Sequence, residues 1–248
     1  MKELTIKNMP TLPFEVSEAL NQLRVNLGFC GDNIKTIMVT SSTPDEGKTF
    51  LAMNLWKMMA NVGMRTLFID CDLRNSVIRT KYGVSTNSGE KMIGIAHYLS
   101  GQAELQDVLY QTNISNGFLL PLTTAIANPT ILLEGKRFDT MIQNCRDVFD
   151  IVIVDTPPLG SVADALNIST RCDGTLLVVR SNAVPRKLVE NSVQLLKRTE
   201  TPLLGIALNR MDVGKKSSLY YDRYYRYGNY HKYYGYGEKA KKVMEESI

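Results

Sequence analysis

The residues best placed to do chemistry form one octapeptide, Ser42-Thr43-Pro44-Asp45-Glu46-Gly47-Lys48-Thr49, with Phe50 behind it. In a phosphate-binding loop, successive backbone N–H groups and the N-terminus of the following helix face the phosphates of a nucleotide. Gly47 permits close backbone approach, Lys48 supplies a point charge at the β- and γ-phosphates, and the Thr49 hydroxyl can ligate Mg²⁺. Ser42 stands where such a loop usually has its first glycine, so the strict pattern is not met. Two apolar segments add carboxylates. Thr66–Ile69 runs into Asp70-Cys71-Asp72, with Arg74 close behind, and Ile151–Val154 runs into Asp155-Thr156-Pro157-Pro158. Any one of these aspartates could be a plain helix N-cap. Together with the loop they make a site for a nucleotide and Mg²⁺, which takes carboxylate oxygen and water around phosphates.

Something must bring the three segments to one edge. Short β-rich apolar runs at Thr36–Thr40, Thr66–Ile69, Ile151–Val154, Thr175–Val179 and Leu203–Leu208 are apolar on consecutive positions. That is the signature of strands buried on both faces. Helical patterns lie between them at about 48–62, 131–147, 161–170 and 186–199, and alternation of this kind predicts a doubly wound α/β domain with a mostly parallel sheet. Aspartates just beyond such strands emerge at the carboxyl edge, where open α/β sheets bind ligands. Val16, Leu20, Leu23 and Leu27 mark an amphipathic helix ahead of this core. Residues 83–130 are less regular, with short helices expected near 91–99 and 103–110. Trp56, Met53, Met58 and Met59 fit packing of the helix after the loop, and Asp164 reads as a helix start facing the site edge.

The chain has 248 residues, 44% of them hydrophobic, which suits one larger globular domain. The composition is not that of a disordered, collagen-like or coiled-coil chain, and no apolar run approaches the roughly 20 residues of a membrane span. The N-terminus lacks the apolar stretch of a secretory signal. Cys30, Cys71, Cys145 and Cys172 are scattered without a CxxC pair, and His97 and His231 are isolated, which argues against a zinc site or disulfide framework and for a reducing cytoplasm. Charge is divided unevenly. From Lys215 onward there are eight Lys/Arg and four Asp/Glu, which accounts for the whole net charge of +4 and leaves the body neutral. Nine of the twelve tyrosines, Tyr220, Tyr221, Tyr224, Tyr225, Tyr227, Tyr230, Tyr233, Tyr234 and Tyr236, fall in the same segment. With no core to bury so many rings, its Gly and charge content predict a disordered appendage.

The combination of STPDEGKT, FIDCDLR, IVIVDTPP and the terminal tyrosine cluster resembles the Walker A, A′ and B motifs and tail of the bacterial tyrosine kinases of capsular and exopolysaccharide synthesis, in the Gram-positive form made as a separate chain. The resemblance implies a P-loop NTPase fold like that of the partition ATPases. It assigns ATP and Mg²⁺ as cofactors, with Lys48 and Thr49 on the phosphates and metal, and Asp72 and Asp155 holding the metal. Asp70 becomes the base for an attacking tyrosine hydroxyl. Pro44, Asp45, Glu46, Gly47, Lys48, Thr49 and Phe50 form the nucleotide loop, and Arg74 helps to hold the site. The nine terminal tyrosines become phosphoacceptors, modified in trans within a ring of subunits.

The same resemblance implies three regions: residues 1–33 for oligomerisation, 34–213 for the kinase domain and 214–248 for the tyrosine segment. A membrane activator of the polysaccharide co-polymerase class would hold the protein peripherally at the inner face of the cell membrane, and a cognate phosphatase would reset it. Two departures from the family pattern stand out. The helix motif that contacts a neighbouring subunit reads Glu18, Asn21, Arg24 here, so one arginine of the family set is lost. Asn209-Arg210-Met211-Asp212 resembles a guanine-reading NKxD motif, but without other GTPase signatures Asn209 is read as a base-pocket residue of an ATP site. Two other readings fit parts of the sequence. One is a partition-type ATPase switch without kinase activity, disfavoured because Thr43 holds the position of that family's extra lysine. The other is nucleic-acid binding by interleaved Tyr, Arg and Lys, disfavoured by the ATPase body.

Overall fold

The computed structural model describes residues 2–87, 89–161 and 163–211. The chain divides into two units, Met1–Asn209 and Arg210–Ile248. Nearly all of the second, including the tyrosine-rich segment, lies outside the described residues, so the fold below is that of the first.

Six strands make the parallel centre, in the order β6 (Gly117–Leu120), β3 (Thr66–Asp70), β7 (Ile151–Asp155), β2 (Thr36–Ser41), β8 (Gly174–Arg180) and β9 (Leu203–Asn209). The continuous apolar runs are explained by the pleat, which sends successive side chains to opposite faces. Along β2, Ile37 and Val39 join one core while Met38 joins the other; along β7, Ile151 and Ile153 oppose Val152 and Val154. One core is covered by α1 (Phe14–Gly28), through Leu20 and Leu27, and by α2 (Lys48–Asn61). Trp56 of α2 is fully buried, stacks edge-on against Phe68 at 6.3 Å and donates its indole N–H to the Thr66 carbonyl at 3.0 Å. The other face carries α7 (Lys136–Val148), α8 (Asp164–Ser169) and α9 (Arg186–Lys197), which contribute Phe138, Met141, Ile168 and Leu196. Helices on both faces are the expected doubly wound architecture.

The periphery departs from the sequence reading. Residues 2–6, expected only as part of a helical N-terminal segment, form strand β1 (Lys2–Ile6), which buries Leu4 and Ile6. It pairs parallel with β5 (Tyr110–Thr112) and antiparallel with β4 (Val84–Thr86), and β5 runs antiparallel to β6. Among the described residues the sheet therefore has nine strands and is mixed at one edge. Between these strands lie α3 (Ile78–Lys81), α4 (Ile95–Leu99) and α5 (Leu105–Val108). The helix expected at 131–147 is broken at Gly135 into α6 (Thr130–Leu133) and α7. Among the described residues no helix is long and apolar enough to cross a membrane.

Candidate active site

The phosphate loop joins β2 to α2 at the centre of the sheet. Gly47, immediately before α2, has φ +92°, in the left-handed region that glycine reaches without strain. A side chain there would collide with Asn209: a Cβ would sit 2.1 Å from its Nδ2. Asn209, at the end of β9, donates instead to the Glu46 carbonyl at 2.8 Å, so the end of the sheet is fastened to the loop. Pro44 and Asp45 are exposed, and Phe50 is half-buried on the first turn of α2.

Glu46 belongs to the loop by sequence, but its side chain does something the sequence does not announce. It is 1% exposed, and its carboxylate accepts hydrogen bonds from the Thr43 amide, from the Thr43 hydroxyl at 3.1 Å, and from the Arg180 amide at 3.0 Å. A buried carboxylate satisfied by backbone donors is a rigid strut. It ties the start of the phosphate loop to the end of β8.

Three carboxylates converge beside the loop. Asp70 and Asp155 lie directly opposite one another as the last residues of β3 and β7. Asp155 accepts the Thr49 hydroxyl on Oδ2 at 2.7 Å while its Oδ1, buried, has no partner. Asp72 pairs with Lys48 at 3.2 Å and accepts the Asn75 amide at 3.2 Å. Asp70 is fully buried; its Oδ2 takes the Ser76 hydroxyl and the Leu122 amide, and its Oδ1 is bare. Burial holds the Asp70 proton up to about 8, with Asp155 and Asp72 adding to the effect, and burial raises Asp155 to about 6 against the pull of Lys48. Burial alone would lower the Lys48 ammonium, but Asp155, Asp72 and Asp70 together outweigh it and raise it. The site is thus one cation among three acids, with two buried carboxylate oxygens unsatisfied. Among the described residues no three acidic, His or Cys side chains form a protein-only metal cage. Thr49 and the bare oxygen of Asp155 are hard donors, and these fit a divalent cation that takes its other ligands from phosphate and water.

Arg74 does not reach these acids. It is engaged by Asp164 at 2.7 Å and by the Ala127 carbonyl at 3.0 Å, with Thr130 also donating to Asp164 at 3.1 Å, so it fastens the 121–130 loop to α8. Ser76 was missed by sequence reasoning, since a lone serine six residues beyond a strand end carries no periodic signal. On α1, far from this cluster in sequence, Arg24 is held by Asn21 of the same helix at 2.9 Å, while Glu18 is exposed. The phosphoacceptor candidates Tyr220–Tyr236 lie outside the described residues.

The AAA domain family matches residues 34–201. A tyrosine-protein kinase CpsD of Streptococcus pneumoniae is 39% identical over 218 residues, covering 88% of this chain and 93% of that protein. This chain belongs to the CpsD tyrosine-protein kinase family. Family membership extends to known architecture. The kinase domain of Escherichia coli tyrosine kinase ETK superposes with a TM-score of 0.71 at 29% identity, over 80% of this chain and 78% of that one. A MinD septum site-determining protein of Pyrococcus horikoshii, solved with Mg-ADP, matches at TM-score 0.62 and 22% identity over 73% of this chain and 72% of that one, a likeness of fold. The family fold is that of a P-loop nucleotide-binding enzyme, and the phosphate loop, Asp70, Asp72 and Asp155 stand at its carboxyl edge.

Proposed function

We propose that this kinase uses Mg²⁺-ATP to phosphorylate the tyrosines of its own segment 220–236 in trans, and that this cycle regulates capsular or exopolysaccharide synthesis or export. The observation that carries the reading is the bare, buried Oδ1 of Asp70 beside the phosphate loop. The tyrosine oxygen attacks the γ-phosphorus, the bond from that phosphorus to the β,γ-bridging oxygen breaks, ADP leaves, and the phenol proton passes to Asp70. Burial raises the Asp70 carboxyl toward the range of a phenol, so its ionised form is a stronger base than an ordinary carboxylate. Lys48 would meet the bridging and γ-phosphate oxygens, and the backbone N–H groups from Asp45 to Phe50 would cradle the rest, Pro44 having none to give. Thr49, Asp155 and Asp72 would hold Mg²⁺, partly through water, and the ion would neutralise charge on the phosphates. Asn209 edges the base pocket while bracing Glu46.

The acceptor assignment also has support from the body of the fold. Its three tyrosines are unsuitable: Tyr82, Tyr98 and Tyr110 are 1%, 5% and 1% exposed, and the hydroxyls of Tyr98 and Tyr110 donate to the Arg137 and Ile93 carbonyls. Elimination leaves the terminal cluster, whose excess of +4 from Lys215 onward would be reversed by several phosphates of about −1.5 to −2 each. We read Glu18, Asn21 and Arg24 as the subunit contact of a ring. The internal Asn21–Arg24 bond weakens that contact by occupying the arginine. A membrane activator of the co-polymerase class would recruit the ring peripherally to the inner membrane face, and a tyrosine phosphatase would reverse the reaction. Mixing Lys48→Met protein with active protein tests the trans route: phosphate should accumulate on the Lys48→Met chain, and its failure to do so would sink this reading.

A further inference from the structure

Beside Asp70 opens a cleft of about 360 Å³ between the segment 74–80 and the loop 122–125. Ser76, which donates its hydroxyl to Asp70, lies in its wall, so the cleft adjoins the carboxylate read above as the base. The lining holds two guanidiniums, Arg74 and Arg79, and no carboxylate; the remaining polar groups are neutral side chains such as Asn75, Thr80 and Thr123. The two arginines differ. Arg74 is neutralised by Asp164. Arg79 is exposed and donates to the Thr123 carbonyl at 3.2 Å, and among the described residues no acid lies within ion-pair distance of it. The Thr123 hydroxyl in the same wall is shielded from solvent and has no partner. The cleft therefore offers an uncompensated guanidinium beside the residue that bonds Asp70.

We propose that this cleft is a subsite for an anionic side chain, a phosphotyrosine or a carboxylate, two residues from the acceptor tyrosine. The inference rests on the kinase reading above and names what that site selects. In an extended peptide, residues i and i+2 face the same way. The terminal segment is written in that spacing: Tyr225 with Tyr227, Tyr234 with Tyr236, and Asp222 two residues from both Tyr220 and Tyr224. Arg79 forms charge-assisted bonds with the anion. Phosphorylating one tyrosine thus makes its partner the better substrate within each of the pairs Tyr225/Tyr227 and Tyr234/Tyr236. Asp222 plays the same part for Tyr220 and Tyr224 without prior phosphorylation.

The test uses full-length protein and fluorescent peptides spanning residues 218–228, unmodified, phosphorylated at Tyr227, or carrying Asp222→Asn. Anisotropy reads binding, and phosphate incorporation at Tyr225 and Tyr224 reads transfer. The Tyr227-phosphorylated peptide should bind about tenfold more tightly than the unmodified one. The Asp222→Asn peptide should bind more weakly than the unmodified one, which separates the carboxylate source from the phosphate source. Arg79→Ala should reduce the phosphopeptide preference to within about twofold, Arg79→Lys should restore part of it, and phenyl phosphate should compete. A thermal melt confirms that each variant is folded. A preference that survives Arg79→Ala, or no preference in the unaltered protein, overturns the subsite. Preferential binding without transfer upholds the subsite and removes the kinase reading; equal binding and transfer for all peptides does the reverse.

Discussion

Relative to the parent, Asp70→Asn should gain stability in the nucleotide-free protein as pH rises from 6 to 8. The Asp70 carboxyl is fully buried, and burial lifts its pKa from 3.8 to about 8. Between those values the folded chain keeps a proton that the unfolded chain has lost, so stability falls as pH rises, by up to about 1.4 kcal/mol per pH unit. From pH 6 to pH 8 the loss attributable to Asp70 comes to about 2 kcal/mol, because the group is half ionised by the upper end. The asparagine does not titrate. Its amide oxygen can still accept from Ser76 and Leu122, but its NH₂ takes the place of the bare, buried Oδ1 and costs about 1–3 kcal/mol at every pH. Urea denaturation of both proteins without nucleotide, at pH 6, 7 and 8, reads the difference. The gap between variant and parent should move by about 2 kcal/mol in favour of Asp70→Asn across the series. A constant gap would refute the claim that burial keeps this carboxyl protonated.

Three further substitutions probe the frame around the site. Glu46→Gln places an NH₂ against one of the backbone donors now satisfied, Thr43 or Arg180, so it should cost about 1–3 kcal/mol in a melt and weaken nucleotide binding measured by fluorescence. Gly47→Ala forces a side chain at φ +92° into Asn209, and should abolish nucleotide binding while circular dichroism shows the sheet intact. Arg74→Ala leaves the buried Asp164 with Thr130 as its remaining side-chain donor, and should cost about 2 kcal/mol in denaturation; equal stability would show that the Arg74–Asp164 pair holds nothing together.

The centre of this fold is legible because its strands are buried on both faces. Ile151–Val154 has no solvent side, so its residues are apolar in sequence without interruption, and the acid that follows marks the sheet edge. The strands at the β4–β1–β5 end carry no such signal, while β9, the opposite edge, carries the apolar run but leaves Ile206 and Leu208 exposed. Lys2–Ile6 buries only Leu4 and Ile6, and it is a strand because β4 and β5, themselves three residues each, lie on either side of it. The same divide runs through the site. Lys48, Thr49, Asp70, Asp72 and Asp155 follow from local pattern, since each sits at a strand end or helix start. The Glu46 strut depends on an amide 134 residues away, and Ser76 on a loop turning back to Asp70. Contacts of that kind are products of topology. The break of the 131–147 helix at Gly135 is the reverse case, a local cue present in the sequence but outweighed there by the apolar periodicity around it.

The central claim is transfer of phosphate from ATP to this chain's own tyrosines, and the intact mass of the purified full chain before and after Mg²⁺-ATP tests it most directly. The account predicts a ladder of roughly 80 Da increments mapping to residues 220–236, absent when Lys48→Met protein is incubated alone. Release of ADP with no change in mass, in the presence of the activator's cytoplasmic segment as well as without it, would contradict it and leave an ATPase switch on a kinase fold.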